Sequence, residues 1–108
     1  MSDGMVSFSI SLTLSKEDDG GRSTPIQSGF RTDMKFSDNE YRMVVIEFVE
    51  DLLFPGQSCD AVCTVLLHGE REIDKLILMK STIIADGPHD IGFIKINDVL
   101  NRNDVCWE

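Results

Sequence analysis

Apolar and polar residues alternate strictly from Val6 to Leu14, as Val-Ser-Phe-Ser-Ile-Ser-Leu-Thr-Leu. That period of two predicts a strand with one buried face. Cys59 to Leu67 repeats the pattern and puts Cys59, Ala61, Cys63, Val65 and Leu67 on one face. Phe30 to Phe36 alternates with Phe30, Met34 and Phe36 partly to one side, and Tyr41 to Phe48 is rich in β-branched and aromatic residues. Leu76 to Ile84 is expected as a strand or a pair of short strands, and Ile91 to Ile96 as the last strand. The stretches between carry turn chemistry: a long loop over 15–29, then turns at Ser37–Glu40, Phe54–Gln57, His68–Glu72 and Asp86–Asp90. Residues 97–101 have the composition of one short helical turn, and Asn101 to Glu108 read as a tail that packs through Val105 and Trp107. About six strands with turns between them, and no long helical period, predict an all-β barrel or sandwich.

A chain of 108 residues is expected to form one domain over its whole length. Its 42% hydrophobic and 27% charged content is ordinary for a globular protein with a single core. No apolar run approaches the ~20 residues that span a bilayer. Met1-Ser2-Asp3-Gly4 lacks the basic start and apolar stretch of a signal peptide, so a cytoplasmic location is expected. The three cysteines, Cys59, Cys63 and Cys106, do not make a disulfide framework. Cys59 and Cys63 would stand ~13 Å apart along a strand, too far to bridge, and read as small buried hydrophobes. Cys63 in particular is expected to be buried and slow to react.

The net charge is −9, with ten basic residues and no dense basic patch. The nearest groupings are Arg31 with Lys35 and Arg71 with Lys75. Tight binding to a phosphate backbone is therefore not expected. An acidic surface fits a protein partner or plain solubility, and solubility alone is enough to account for it.

Leu14-Ser15-Lys16-Glu17-Asp18-Asp19-Gly20-Gly21-Arg22-Ser23-Thr24-Pro25 resembles a motif of the C-terminal β-barrel domain of elongation factor Tu. That family has a strand ending in Leu-Ser-Lys, an acidic pair, Gly-Gly-Arg, one variable residue and Thr-Pro. Gly29-Phe30-Arg31 is similar to the family's Gly-Tyr-Arg, and Phe54-Pro55-Gly56 to its Met-Pro-Gly. Cys59 to Leu67 resembles its valine-rich strand, and Asp86-Gly87 with Ile91-Gly92 its closing hairpin. The resemblance runs from about Met5 to Ile96. It departs at Ser37-Asp38-Asn39-Glu40-Tyr41-Arg42, where the family has Thr-Asp-Val-Thr-Gly, and at His89-Asp90, where it tends to have Arg and Thr. The family's GTPase domain and middle barrel have no counterpart here, so no GTP site carries over.

The resemblance implies a single antiparallel β-barrel of about six strands. In that family the domain is a platform for a GTPase domain, a tRNA and an exchange partner. It implies a non-catalytic protein-binding module related to translation elongation factors, with Gly20, Gly21, Arg22 and Arg31 as the partner-binding residues. The plainer account is that the glycines supply positive φ and that Arg22 pairs with Asp18 or Asp19. The alternatives are a tRNA- or nucleic-acid-binding accessory protein, which the charge disfavours, and a small immunity-type inhibitor. No serine sits in a nucleophile elbow. His68 and His89 read as solvated turn residues, and Asp18-Asp19 and Glu50-Asp51 as solvated charge. Neither catalytic residues nor a cofactor nor a metal is expected. Trp107 reads as a lid on one end of the barrel.

Overall fold

The alternation in β1 (Gly4–Leu14) is realised side chain by side chain. Val6, Phe8, Ile10, Leu12 and Leu14 are buried, while the intervening Ser7, Ser9, Ser11 and Thr13 stand on the outer wall. The structure is a computed structural model and describes residues 4–16, 18, 21–87 and 89–100. Gly20, Asp19, Cys106 and the expected packing of Val105 and Trp107 lie outside the described residues.

The other elements are β2 (Ile26–Gln27), β3 (Phe30–Ser37), β4 (Glu40–Glu47), β5 (Leu52–Leu53) and β6 (Ser58–Leu67), then α1 (Glu70–Met79), β7 (Ser81–Asp86) and β8 (His89–Val99). Six strands close into one antiparallel barrel in the order β1-β6-β4-β3-β7-β8, with β8 returning to β1. The expected all-β barrel is what forms. β1 and β6 pair along nearly their full length, Val6 against Val65, Phe8 against Cys63 and Ile10 against Ala61. Their inward side chains meet across the core, and on the outer wall Ser7 and Thr64 share a hydrogen bond of 3.0 Å. Each fully buried Leu, Ile or Phe contributes roughly 1.5–3 kcal/mol of transfer free energy, so this pair of strands is a main anchor of the fold.

The seam between β3 and β7 is much shorter. Its ladder consists of Asp33 with Ala85 and Met34 with Ile84. Threonine hydroxyls extend it on both sides: Thr32 donates to the Ala85 carbonyl and Thr82 to the Lys35 carbonyl, each at 2.6 Å. Beyond Thr82 the two strands diverge.

Three expectations are corrected. Glu70 to Met79, expected as the end of a turn at 68–72 and the start of a strand, form a helix, and the strand begins only at Ser81. Ile73 and Leu76, three residues apart, fall on one helical face and are both fully buried. Glu70 and Glu72 occupy the first turn, where carboxylates favour the helix dipole. Leu-Ile-Leu-Met read in isolation suits a strand, but the amphipathic spacing that starts at Ile73 decides. Lys80 ends the helix with φ +67, and its N–H donates to the Leu76 carbonyl. The second correction is at 97–99, which extend β8 rather than forming a helical turn. Asp98 accepts the Val99 N–H, and the Leu100 N–H donates to the Ser7 carbonyl. The third is the last turn, which is tighter than 86–90, because Asp86 and His89 are already ladder partners.

The strand directions give the barrel two ends. One gathers the C-terminal end of β1, the pair β2–β5 and the β7–β8 turn. The other gathers the β3–β4 turn and α1, whose Ile73 and Leu76 plug it. Among the described residues, no helix is long and apolar enough to cross a membrane.

Candidate functional site

The resembling motifs converge at the first end. Gly21 donates its N–H to the Lys16 carbonyl at 2.9 Å, and any Cβ there would collide with the carbonyl oxygens of Ser15 and Lys16. Gly92 in β8 lies so close to β1 that a Cβ would strike the Thr13 carbonyl oxygen. The Gly56 N–H donates to the Leu14 carbonyl at 2.7 Å and the Leu14 N–H to Gln57 at 3.0 Å. Three segments, at Gly21, Gly56–Gln57 and Gly92, are thus tied to the end of β1 by backbone contact.

Arg22 leaves this knot and is held within the chain. Its Nε and Nη2 donate to the Thr24 carbonyl and hydroxyl at 3.3 and 3.1 Å, and its guanidinium lies 5.1 Å from the Phe30 ring centre. Its ion pair is with Asp86 at 3.7 Å, not with Asp18. Two surface recesses of about 420 and 410 Å³ flank it, the first over Ile26–Phe30 and the second over Asp86, His89 and Ile91. Arg31 points the other way. It stands on the outer wall of β3 opposite Val45, exposed, with no ion pair among the described residues. The structure therefore brings Gly21 and Arg22 together and places Arg31 on a different face.

The second end is built from side chains. Phe36, 4% exposed, is approached by two cations: the Arg42 guanidinium at 4.5 Å and the Lys75 ammonium at 4.3 Å from its ring centre. Arg42 also grips Glu72 of α1 at 2.8 and 3.5 Å, a two-point contact, and reaches Glu40 at 3.2 Å. Glu72 accepts the His68 N–H at 2.8 Å as well. Burial disfavours the charged form of Glu72. The hydrogen bonds from Arg42 and from the His68 backbone outweigh it and hold the carboxyl below its ordinary value of 4.5. Arg42 ties the plug helix to the barrel wall.

Beside this plug, where β3 and β7 diverge, lies an open groove of about 490 Å³. Phe36, Met79, Ile83 and Phe93 give it an apolar floor, and Lys35 and Asp38 stand at its rim. Phe93 is 49% exposed. A smaller recess of about 280 Å³ follows on the far side of the α1–β7 junction, lined by Ile77, Lys80, Lys95 and Asp98 among others. None of these residues belongs to the site expected from sequence. One signal was available: in Phe93-Ile94-Lys95-Ile96 the phenylalanine shares the face of Lys95, not that of the isoleucines.

Reactive chemistry is muted elsewhere. Burial pushes the Cys63 thiol up to about 12, as its place in the core requires. Burial, and next the nearby Glu50, push Cys59 up to about 11. Among the described residues, no group of three or more His, Cys, Asp or Glu side chains could hold a metal ion. His89 lies exposed in the recess beside Arg22. A comparison with protein-family models finds no match, and neither does one with curated proteins.

Proposed function

We propose that this chain is a non-catalytic protein-binding barrel of the elongation factor Tu C-terminal type, working through a surface and not through a reaction centre. The groove between β3 and β7 carries this reading. It is an apolar recess on an acidic molecule, with an aromatic side chain fixed on a rigid strand and half exposed within it. Such an aromatic is the usual anchor of a protein interface, and an exposed apolar surface of this kind marks an interaction site. The relation to elongation factors is supported by the closed six-stranded antiparallel barrel and by the gathering of Leu14–Lys16, Gly21, Gly56 and Gly92 at one end. The partner in this reading is a component of the translation machinery or a GTPase. Gly21 and Arg22, with Gly20 beside them in sequence, make a second contact region, and Arg31 a separate one, exposed on the same outer face of β3 as Lys35.

The test compares proteins retained from cell extract by the wild-type chain and by Phe93→Asp. The reading expects a defined protein to be retained by the first and lost by the second, with melting unchanged. Identical retention profiles would remove the groove as a binding surface.

A further inference from the structure

We infer that the groove between β3 and β7 receives an extended acidic segment of a partner protein, with apolar side chains seated on Phe93 and Ile83 and carboxylates held by the surrounding lysines. This rests on the protein-binding reading above. Charge sets this groove apart from the rest of the surface. The chain has 19 acidic and ten basic residues, yet four of the ten stand around the groove and its neighbour. Lys35 lines the groove, Lys75 lies over the Phe36 ring, and Lys80 and Lys95 line the adjoining recess.

These cations are available. Lys35, Lys80 and Lys95 have no ion pair among the described residues, whereas Arg22 and Arg42 each have a carboxylate partner. Two carboxylates line the same two recesses. Asp38 stands at one end of the groove, and Asp98 in the second recess is turned onto the Val99 N–H. A local excess of positive charge around an apolar floor, on a molecule of net −9, steers acidic partners to that one place.

The geometry favours an extended occupant. The floor is made by neighbouring strands: Ile83 pairs with Phe93, and Ser81 with Lys95. An apolar pair, Ile83 with Phe93, is therefore followed ~7 Å along the wall by a basic position, Lys95, two residues on. An extended segment whose groove-facing side chains, every second residue, are apolar and then acidic matches both positions. A nucleic acid would meet only four lysines and then the repulsion of the remaining acidic surface, so the protein segment is the occupant favoured.

The experiment uses the whole chain and a short labelled extended peptide in which every second residue is by turns Phe or Leu and Asp or Glu, with Ser or Thr between. Its controls are the same peptide with Lys at the acidic positions, and polyuridylate. Binding is read by fluorescence anisotropy and mapped by amide and methyl chemical shifts. We expect the acidic peptide alone to bind, to weaken as salt is added, and to shift Lys35, Ile83 and Phe93. Lys35→Glu with Lys95→Glu should lower its affinity about tenfold or more while melting is unchanged. Equal binding of the acidic and basic peptides, shifts mapping to the Arg22 end, tighter binding of polyuridylate, or no binding by either peptide would each overturn the assignment. If Phe93→Asp still abolishes retention of a protein from extract in any of those cases, the protein-binding reading stands and only the partner chemistry falls. If retention is also unaffected, both fall.

Discussion

The two ends of this barrel are held together by different means. At the end of β1, backbone meets backbone: Gly21 on Lys16, Gly56 on Leu14, Gly92 against Thr13. At the α1 end, side chain meets side chain: Arg42 on Glu72, Phe36 under two cations, Ile73 and Leu76 in the core. Backbone contact leaves room for one residue type only, so the first end is intolerant of change. Side-chain contact can be rebuilt in several ways, so the second end can lose parts and keep its shape. The groove proposed to bind a partner lies at the second end, where surface variation costs the fold least.

That contrast is open to breakage in order of size. Gly92→Val should be the most damaging single change, because the new side chain meets the Thr13 carbonyl, which β1 holds in place. The expected outcome is failure to fold, or a loss of 3 kcal/mol or about that in denaturant titration. A stable Gly92→Val would mean that β8 can move off β1 and that the first end is not rigid. Next is Leu76→Ala, which empties a fully buried site under the plug helix and should cost about 3 kcal/mol. Circular dichroism should show the strand signal retained even as stability falls.

Glu72→Gln should cost about 1 kcal/mol at neutral pH, since it removes the charge that Arg42 grips. This loss depends on pH with a definite sign. The folded-state pKa of Glu72 lies below its ordinary 4.5, so its contribution is whole above 4.5 and disappears as pH falls through the lower folded value. Stability curves of wild type and Glu72→Gln should therefore converge on acidification. Curves that stay parallel would show the ion pair to be ornamental. Smallest is Lys80→Gly. Lys80 sits at φ +67, where glycine is relaxed, and the replacement should stabilise by roughly 0.5–1 kcal/mol in a thermal melt. A destabilised variant would show that the lysine side chain, not the backbone, matters at the helix end.

The same contrast explains what could be read from the sequence. The strands β1 and β6 were legible because strict alternation reports a face directly, with no need to know the partner. The glycines of the first end were legible as motif, and their crowding supplies the physical reason. What glycine spacing could not reveal is the orientation of Arg22, which depends on Asp86 some sixty residues on, a distance set by the closure of the barrel. The resemblance groups Arg31 with Arg22, but Arg22 lies against the Phe30 ring, whereas the pleat of β3 turns Arg31, the next residue, to the other face. Helix α1 was hidden because Leu76-Ile77-Leu78-Met79 carries its apolar residues without a gap, and only Ile73, outside that run, reveals the helical spacing. The groove was illegible for another reason. Its floor draws on β3, α1, β7 and β8, and no local pattern announces a surface assembled from four places.

The pairing of β1 with both β6 and β8 has a consequence for how the chain comes off the ribosome. β1 precedes both of its partners: β6 begins only at Ser58, and β8 at His89. Until Ser58–Leu67 has been made, its apolar face of Val6, Phe8, Ile10, Leu12 and Leu14 therefore has no native neighbour. A barrel wired in this way cannot be assembled piece by piece as it emerges. It closes late, in one step of long-range pairing, and folding should be slow for its size. Until then β1 is a segment a chaperone would grasp.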